Sequence, residues 1–222
     1  LSFYQRKEVK DLIAYLRLAV NPNDEEALRR AINFPKRGIG NTTLDKIAQL
    51  AADRGTTMWQ VLPDVNAGKR AKNSIDGFRE LIVKAQQKAQ TADAFEAASY
   101  LARQSGLVDF MKKDTSIEGM NRLENLNALL DGIQEFTESD IEENVTNIAD
   151  KSLASYLQNI ALLTDLDDSN TDENRVTLMT VHSAKGLEFP SVFVVGLEEK
   201  MFPSVMSLDS LERIDEKRRF FY

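Results

Sequence analysis

Through the first two thirds of the chain, apolar residues recur at three- and four-residue steps. Val9, Leu12, Ile13, Leu16 and Val20 form one such stripe and predict an amphipathic helix over 8–20. Asn21-Pro22-Asn23-Asp24 ends it, because the residue before a proline avoids helical angles and Asn and Asp favour turns. A short helix follows over 25–33. A third over 43–54 carries Leu44, Ile47, Ala48, Leu50 and Ala51 on one face, with Gly55 just past its end. Thr42 and Asp45 read as its capping pair. The same period predicts one further turn over 58–62 and helices over 69–90, 93–105, 107–113, 117–138 and 152–163.

The pattern changes near Asn174. Arg175–Val181 and Ser191–Leu197 are near-continuous β-branched and apolar runs, which suit buried strands of a mostly parallel sheet. Two strands do not make a stable sheet, so their partners are expected from elsewhere. The polar, acidic stretch 164–174 reads as the linker between the two regions, with no internal repeat on either side.

Composition narrows the possibilities. The 222 residues suffice for one large domain or two small ones with a real core. No apolar run is long enough for a membrane-spanning helix. The start, Leu1-Ser2-Phe3-Tyr4-Gln5-Arg6, is not a signal peptide, and its lack of a Met suggests a fragment. With no Cys and a single His, thiol catalysis, Cys-ligated metals and His-rich metal sites are excluded. The net charge of −7 argues against nucleic acid, until its distribution is considered. Glu135–Glu173 holds eleven acids against Lys151 alone, a net of −10, so the remainder carries +3. The chain is a mildly basic body with one strongly acidic region, expected to face away from any polyanion.

Several familiar sites fail on spacing. Gly68-Lys69-Arg70 lacks the Gly-x-x-x-x-Gly-Lys-Ser/Thr of a phosphate-binding loop. Asp165-Leu166-Asp167-Asp168-Ser169-Asn170 has neither the Gly nor the distal Glu of a calcium loop, and suits a solvated linker. A lone His without local context supports no catalytic triad.

Three constellations remain. In Pro35-Lys36-Arg37-Gly38-Ile39-Gly40-Asn41-Thr42-Thr43-Leu44, two glycines flank one apolar residue and lead into a helix N-terminus. Such a turn can offer backbone N–H groups to a phosphate without reading bases. Arg29, Arg30, Lys36 and Arg37 add charge, with no acid between Ala27 and Leu44. An ordinary helix–helix turn fits the same residues. In Val176–Pro190 a strand gives way to small and polar residues, placing Thr180, His182 and Ser183 where α/β sheets bind ligands. Taken alone, a structural His and a buried-end Thr are the favoured reading of these residues. Asp215–Tyr222 suits an amphipathic helix with a charged face.

Together these stretches resemble one family. Thr180-Val181-His182-Ser183-Ala184-Lys185-Gly186-Leu187-Glu188-Phe189-Pro190 and the following Val192–Ser204 resemble motif V of the UvrD/Rep/PcrA helicases of superfamily 1. Glu216–Tyr222 looks like the opening of their motif VI. Phe3–Arg17 is similar to the segment leaving their second RecA-like domain, and Pro35–Leu44 to the Gly-Ile-Gly turn of the helical subdomain inserted in it.

The resemblance implies a mainly α chain with a small α/β part: a helical insertion within an incomplete RecA-like, P-loop NTPase-type parallel-sheet domain. Residues 1–20 and 175–222 would be two pieces of that second motor domain, and 21–174 the insertion. The parent would be a bacterial, cytoplasmic, ATP- and Mg2+-dependent helicase moving 3′→5′ on single-stranded DNA in repair or replication. Thr180, His182 and Ser183 would meet single-stranded DNA, and Gly186 and Glu188 the nucleotide. Lys36, Arg37, Gly38, Ile39, Gly40 and Thr42 would lie on duplex DNA at the junction. Implied partners are the first motor domain and accessory repair proteins, with no membrane. The first motor domain's Walker A lysine is missing, and the motif VI arginine would follow Tyr222, so this polypeptide alone should have no catalytic residues and bind no cofactor. A helicase–nuclease parent, or a non-enzymatic duplex- or protein-binding module, are the alternatives.

Overall fold

The helical pattern is realised as nine α-helices among the described residues of a computed structural model, which are 3–138, 150–168, 176, 178 and 191–195. They are α1 (Lys7–Val20), α2 (Glu25–Ala31), α3 (Asn41–Arg54), α4 (Met58–Val61), α5 (Lys69–Thr91), α6 (Ala94–Gln104), α7 (Leu107–Lys112), α8 (Ile117–Glu138) and α9 (Leu153–Asp168). The mainly α expectation holds. The chain divides into two units, Leu1–Glu173 and Asn174–Tyr222.

Local chemistry sets the helix ends. Asp24 caps α2 by accepting from the Ala27 N–H at 3.0 Å, and its other oxygen takes Arg17 Nε at 2.7 Å. Thr57 and Asp93 cap α4 and α6 in the same way. Gly55 ends α3 at φ +60°, a left-handed turn that glycine adopts without steric cost.

In the helical unit the core is organised around α1, which packs against α2, α5, α6, α8 and α9. One apolar stripe was the expectation for this helix; the structure buries nine of its fourteen residues, including Tyr15 and Leu18 with no exposed surface. A helix enclosed on most sides by neighbours has no single wet face. Val20, expected in the stripe, is instead 43% exposed at the helix end.

Burial on this scale brings acids inside. Asp11 is buried, and its Oδ1 lies 2.7 Å from Arg30 Nε, off the N–H direction, so the contact is an ion pair rather than a good hydrogen bond. Its Oδ2 has no hydrogen-bond partner among the described residues. Glu8 is tied to α8, where the Asn125 amide donates to it at 2.6 Å and also accepts from Arg6.

Two expectations change. The acidic stretch read as a linker from residue 164 is helical as far as Asp168, a continuation of α9, whose Leu153, Tyr156 and Ile160 are buried earlier along the helix. The two runs expected as buried strands show no strand at their described positions. Val176, Leu178, Val192, Phe193 and Val195 are 66–98% exposed, and Val194 is 45% exposed. An isolated pair of apolar strands has nothing to bury its faces against, which accounts for this.

Burial raises the Asp11 carboxyl above its ordinary value, and this outweighs the opposing pull of Arg30. A raised folded-state value favours the protonated acid, so the stabilising contribution is present below about pH 3.8 and lost as pH rises. Asp11→Asn is therefore expected to gain stability relative to the native chain as pH goes from 3 to 7. Urea midpoints of both proteins across that range check it; a gap that shrinks or stays flat contradicts the assignment.

Candidate nucleic-acid interface

The turn between α2 and α3 is built from the core outward. The Tyr15 hydroxyl on α1 lies 2.6 Å from the Phe34 carbonyl and 3.0 Å from that of Ala31, so its proton holds the end of α2 and the start of the turn. Burial pushes this phenol up to about 12. The peptide Phe34–Pro35 is cis. Asn33 then templates the loop: its Oδ1 accepts from the Arg37 N–H at 2.9 Å and the Ile39 N–H at 3.1 Å. Gly38, between them, has φ +78°, which a residue with a side chain rarely adopts.

Arg37 closes the structure from beneath. Its Nη1 donates to the carbonyls of Pro35 (3.2 Å), Ala31 (3.1 Å) and, more weakly, Ile32 (3.4 Å), and Nη2 donates to Ser105 at 2.8 Å. The guanidinium carbon stands 5.7 Å from the Tyr15 ring centre and 5.5 Å from that of Phe78, within cation–π range of both. One planar fork thus ties the turn to α1, α5 and the end of α6.

This placement divides the six residues expected on duplex DNA. Arg37 has both terminal nitrogens on carbonyls, so in this structure it braces the turn. The Ile39 side chain is fully buried and its N–H is held by Asn33, so it is internal. Lys36, Gly38, Gly40 and Thr42 are exposed. Thr42 is not a cap as expected: α3 begins at Asn41, with extended Gly40 as its N-cap. The Gly40 carbonyl takes the N–H groups of Thr43 (3.0 Å) and Leu44 (3.1 Å), leaving those of Gly40, Asn41 and Thr42 without a partner among the described residues. Lys36 likewise has no ion pair there. The exposed surface is one free ammonium beside outward-facing backbone donors at the start of a fourteen-residue helix, a combination suited to an anion.

Asn33 was not singled out in the sequence, where a single Asn after a short helix carries no distinctive signal. The residues expected at single-stranded DNA (Thr180, His182, Ser183) and at the nucleotide (Gly186, Glu188) lie outside the described residues. Among the described residues no group of His, Cys, Asp or Glu could hold a metal ion, and no helix is long and apolar enough to cross a membrane.

The UvrD-like helicase C-terminal domain model matches residues 1–222. The chain belongs to this family. Its relatives include DNA helicase II of Salmonella typhimurium and of Escherichia coli, both 38% identical over the whole of this chain and 31% of their own length. The ATP-dependent DNA helicase PcrA of Bacillus subtilis is 37% identical over the whole chain and 30% of its length. The chain therefore spans about three tenths of the relatives it matches, in agreement with the resemblance drawn from its motifs.

Within this family member, Arg37 and Lys36 should separate cleanly on mutation. Arg37→Ala is expected to cost about 2–4 kcal/mol, since it removes charge-assisted bonds and stacking together. Arg37→Lys should recover little of this, because an ammonium cannot reproduce the fork. Lys36→Ala should stay within about 0.5 kcal/mol of the native chain. Chemical denaturation of the three variants checks this; equal losses for Arg37→Ala and Lys36→Ala contradict it.

Proposed function

We propose that the chain is the C-terminal motor portion, with its helical insertion, of an ATP-dependent 3′→5′ DNA helicase, and that the helical unit grips duplex DNA through the turn at Lys36–Thr42. The observation that carries the duplex reading is the turn itself. Among the described residues nothing pairs with Lys36 or with the N–H groups of Gly40, Asn41 and Thr42, and Asn33 and Arg37 brace the backbone before them. Such donors bind backbone phosphate in any sequence.

Family membership supports the rest of this reading. Residues 1–20 and 175–222 are the two motor pieces in this reading, and the exposed apolar positions Val192–Val195 would gain their strand partners in the parent's motor sheet. Thr180, His182 and Ser183 contact single-stranded DNA. Gly186 and Glu188 face the nucleotide. ATP and Mg2+ supply the phosphoryl-transfer chemistry in the parent, between this portion and the first motor domain. The contribution of the helical unit in this reading is to hold DNA. Accessory repair proteins and a cytoplasmic setting accord with such a parent.

Two outcomes are expected. The purified chain with Mg-ATP and single-stranded DNA should release no phosphate above the buffer rate, whereas its full-length parent should; turnover by the chain alone refutes the division of labour. Duplex binding by the chain should weaken linearly in log K against log salt. Lys36→Glu should lower duplex affinity by roughly tenfold at 0.1 M salt, a little more than one lost contact, with an unchanged melting midpoint. Duplex affinity indifferent to Lys36→Glu would make the turn purely structural.

A further inference from the structure

Gly38 has an open side, and what stands over it is not part of the turn. A Cβ built on Gly38 would find one neighbour outside the turn, Arg70 Nε, at 4.0 Å. Arg70 belongs to Gly68-Lys69-Arg70, which opens α5. The sequence holds two acid-free stretches, residues 28–44 and 65–75, separated by Asp45, Asp53 and Asp64. The fold brings the two together at Gly38 and Arg70.

The cations in these stretches have different fates. Arg30 is taken by Asp11 at 2.7 Å, Lys72 by Asp76 at 2.6 Å, and Arg37 by four carbonyls. The intervening Asp64 is paired with Arg54 at 2.5 Å. Lys36, Lys69 and Arg70 are exposed, and no described residue pairs with any of them. Gathering free like charges costs repulsion, which a polyanion relieves and a neutral partner does not. The guanidinium also has the planar donor geometry that matches phosphate oxygens.

We propose that Arg70 is a second phosphate contact, reaching the backbone of the same duplex that the Gly38 turn holds. This rests on the duplex reading above. It gives the helical unit two cationic points from distant parts of the sequence, Lys36 before α3 and Arg70 on α5, the second standing beside Gly38.

The test is a fluorescence-anisotropy titration of the 222-residue chain with a blunt DNA duplex at several salt concentrations. Arg70→Ala should reduce the magnitude of the log K against log salt slope by about 0.9, and weaken binding roughly five- to tenfold at 0.1 M salt. Arg70→Gln, which keeps length and polarity, should do the same, and both variants should melt like the native chain. If both keep the native slope while Lys36→Ala lowers it, the Arg70 contact is refuted and the duplex reading stands. If the native chain shows no salt-dependent duplex binding, both fall together.

Discussion

A helix buried on most of its circumference must be surrounded, and α1 imposes that demand on everything else in the helical unit. Five other helices supply its walls, drawn from residues 25 to 168. Its polar residues are consequently enclosed. Asp11 meets Arg30 from α2, and Glu8 meets Asn125 from α8, so the polar contacts also link distant parts of the chain. Enclosed charge is retained at a cost: burial opposes the ionised form of Asp11 more strongly than Arg30 supports it. Arg30 is partly exposed and can return to water if its partner is neutralised, which limits the damage of losing the pair.

The same helix carries the turn. Tyr15 reaches from α1 to the carbonyls of α2 and the turn, and Arg37 returns from the turn to lie against the Tyr15 ring. Arginine suits this position because a single planar group can satisfy several carbonyls and still present a face to aromatic rings. The cluster converts core packing into a fixed backbone path at the surface. Fold and candidate function therefore share this turn, although the residues that support it differ from those that would touch a ligand.

Periodicity made the helices legible, because each buries an apolar face and the three- and four-residue steps are visible directly. Asp24, Thr57 and Asp93 stand at the residue before a helix, where caps belong. Less was legible where two signals competed. The acidic residues after 163 suggested a linker, yet α9 continues through them to Asp168. On α1 the stripe concealed Tyr15 and Leu18, since a sequence does not reveal how many neighbours a helix will have. At the turn, charge was legible but direction was not. Lys36 and Arg37 look equivalent in sequence, and only the carbonyls left by α2 and Ser105 distinguish them. Arg70 was invisible as part of this surface because the whole of α3 and α4 separates it from Gly38 along the chain. Motif resemblance supplied what periodicity could not, the family, from residues that pattern alone leaves open.

Asn33 gives the turn a mechanical property. By holding the N–H groups of Arg37 and Ile39 on one oxygen, it removes the freedom that a glycine-containing loop would otherwise have. The conformational entropy of ordering this backbone is lost when the chain folds, not when a ligand arrives. What remains to be frozen on binding is chiefly the long exposed side chains, Lys36 and Arg70. Such a surface cannot mould itself to an irregular partner. In the duplex reading it would suit a regular one, presenting its charges at fixed intervals.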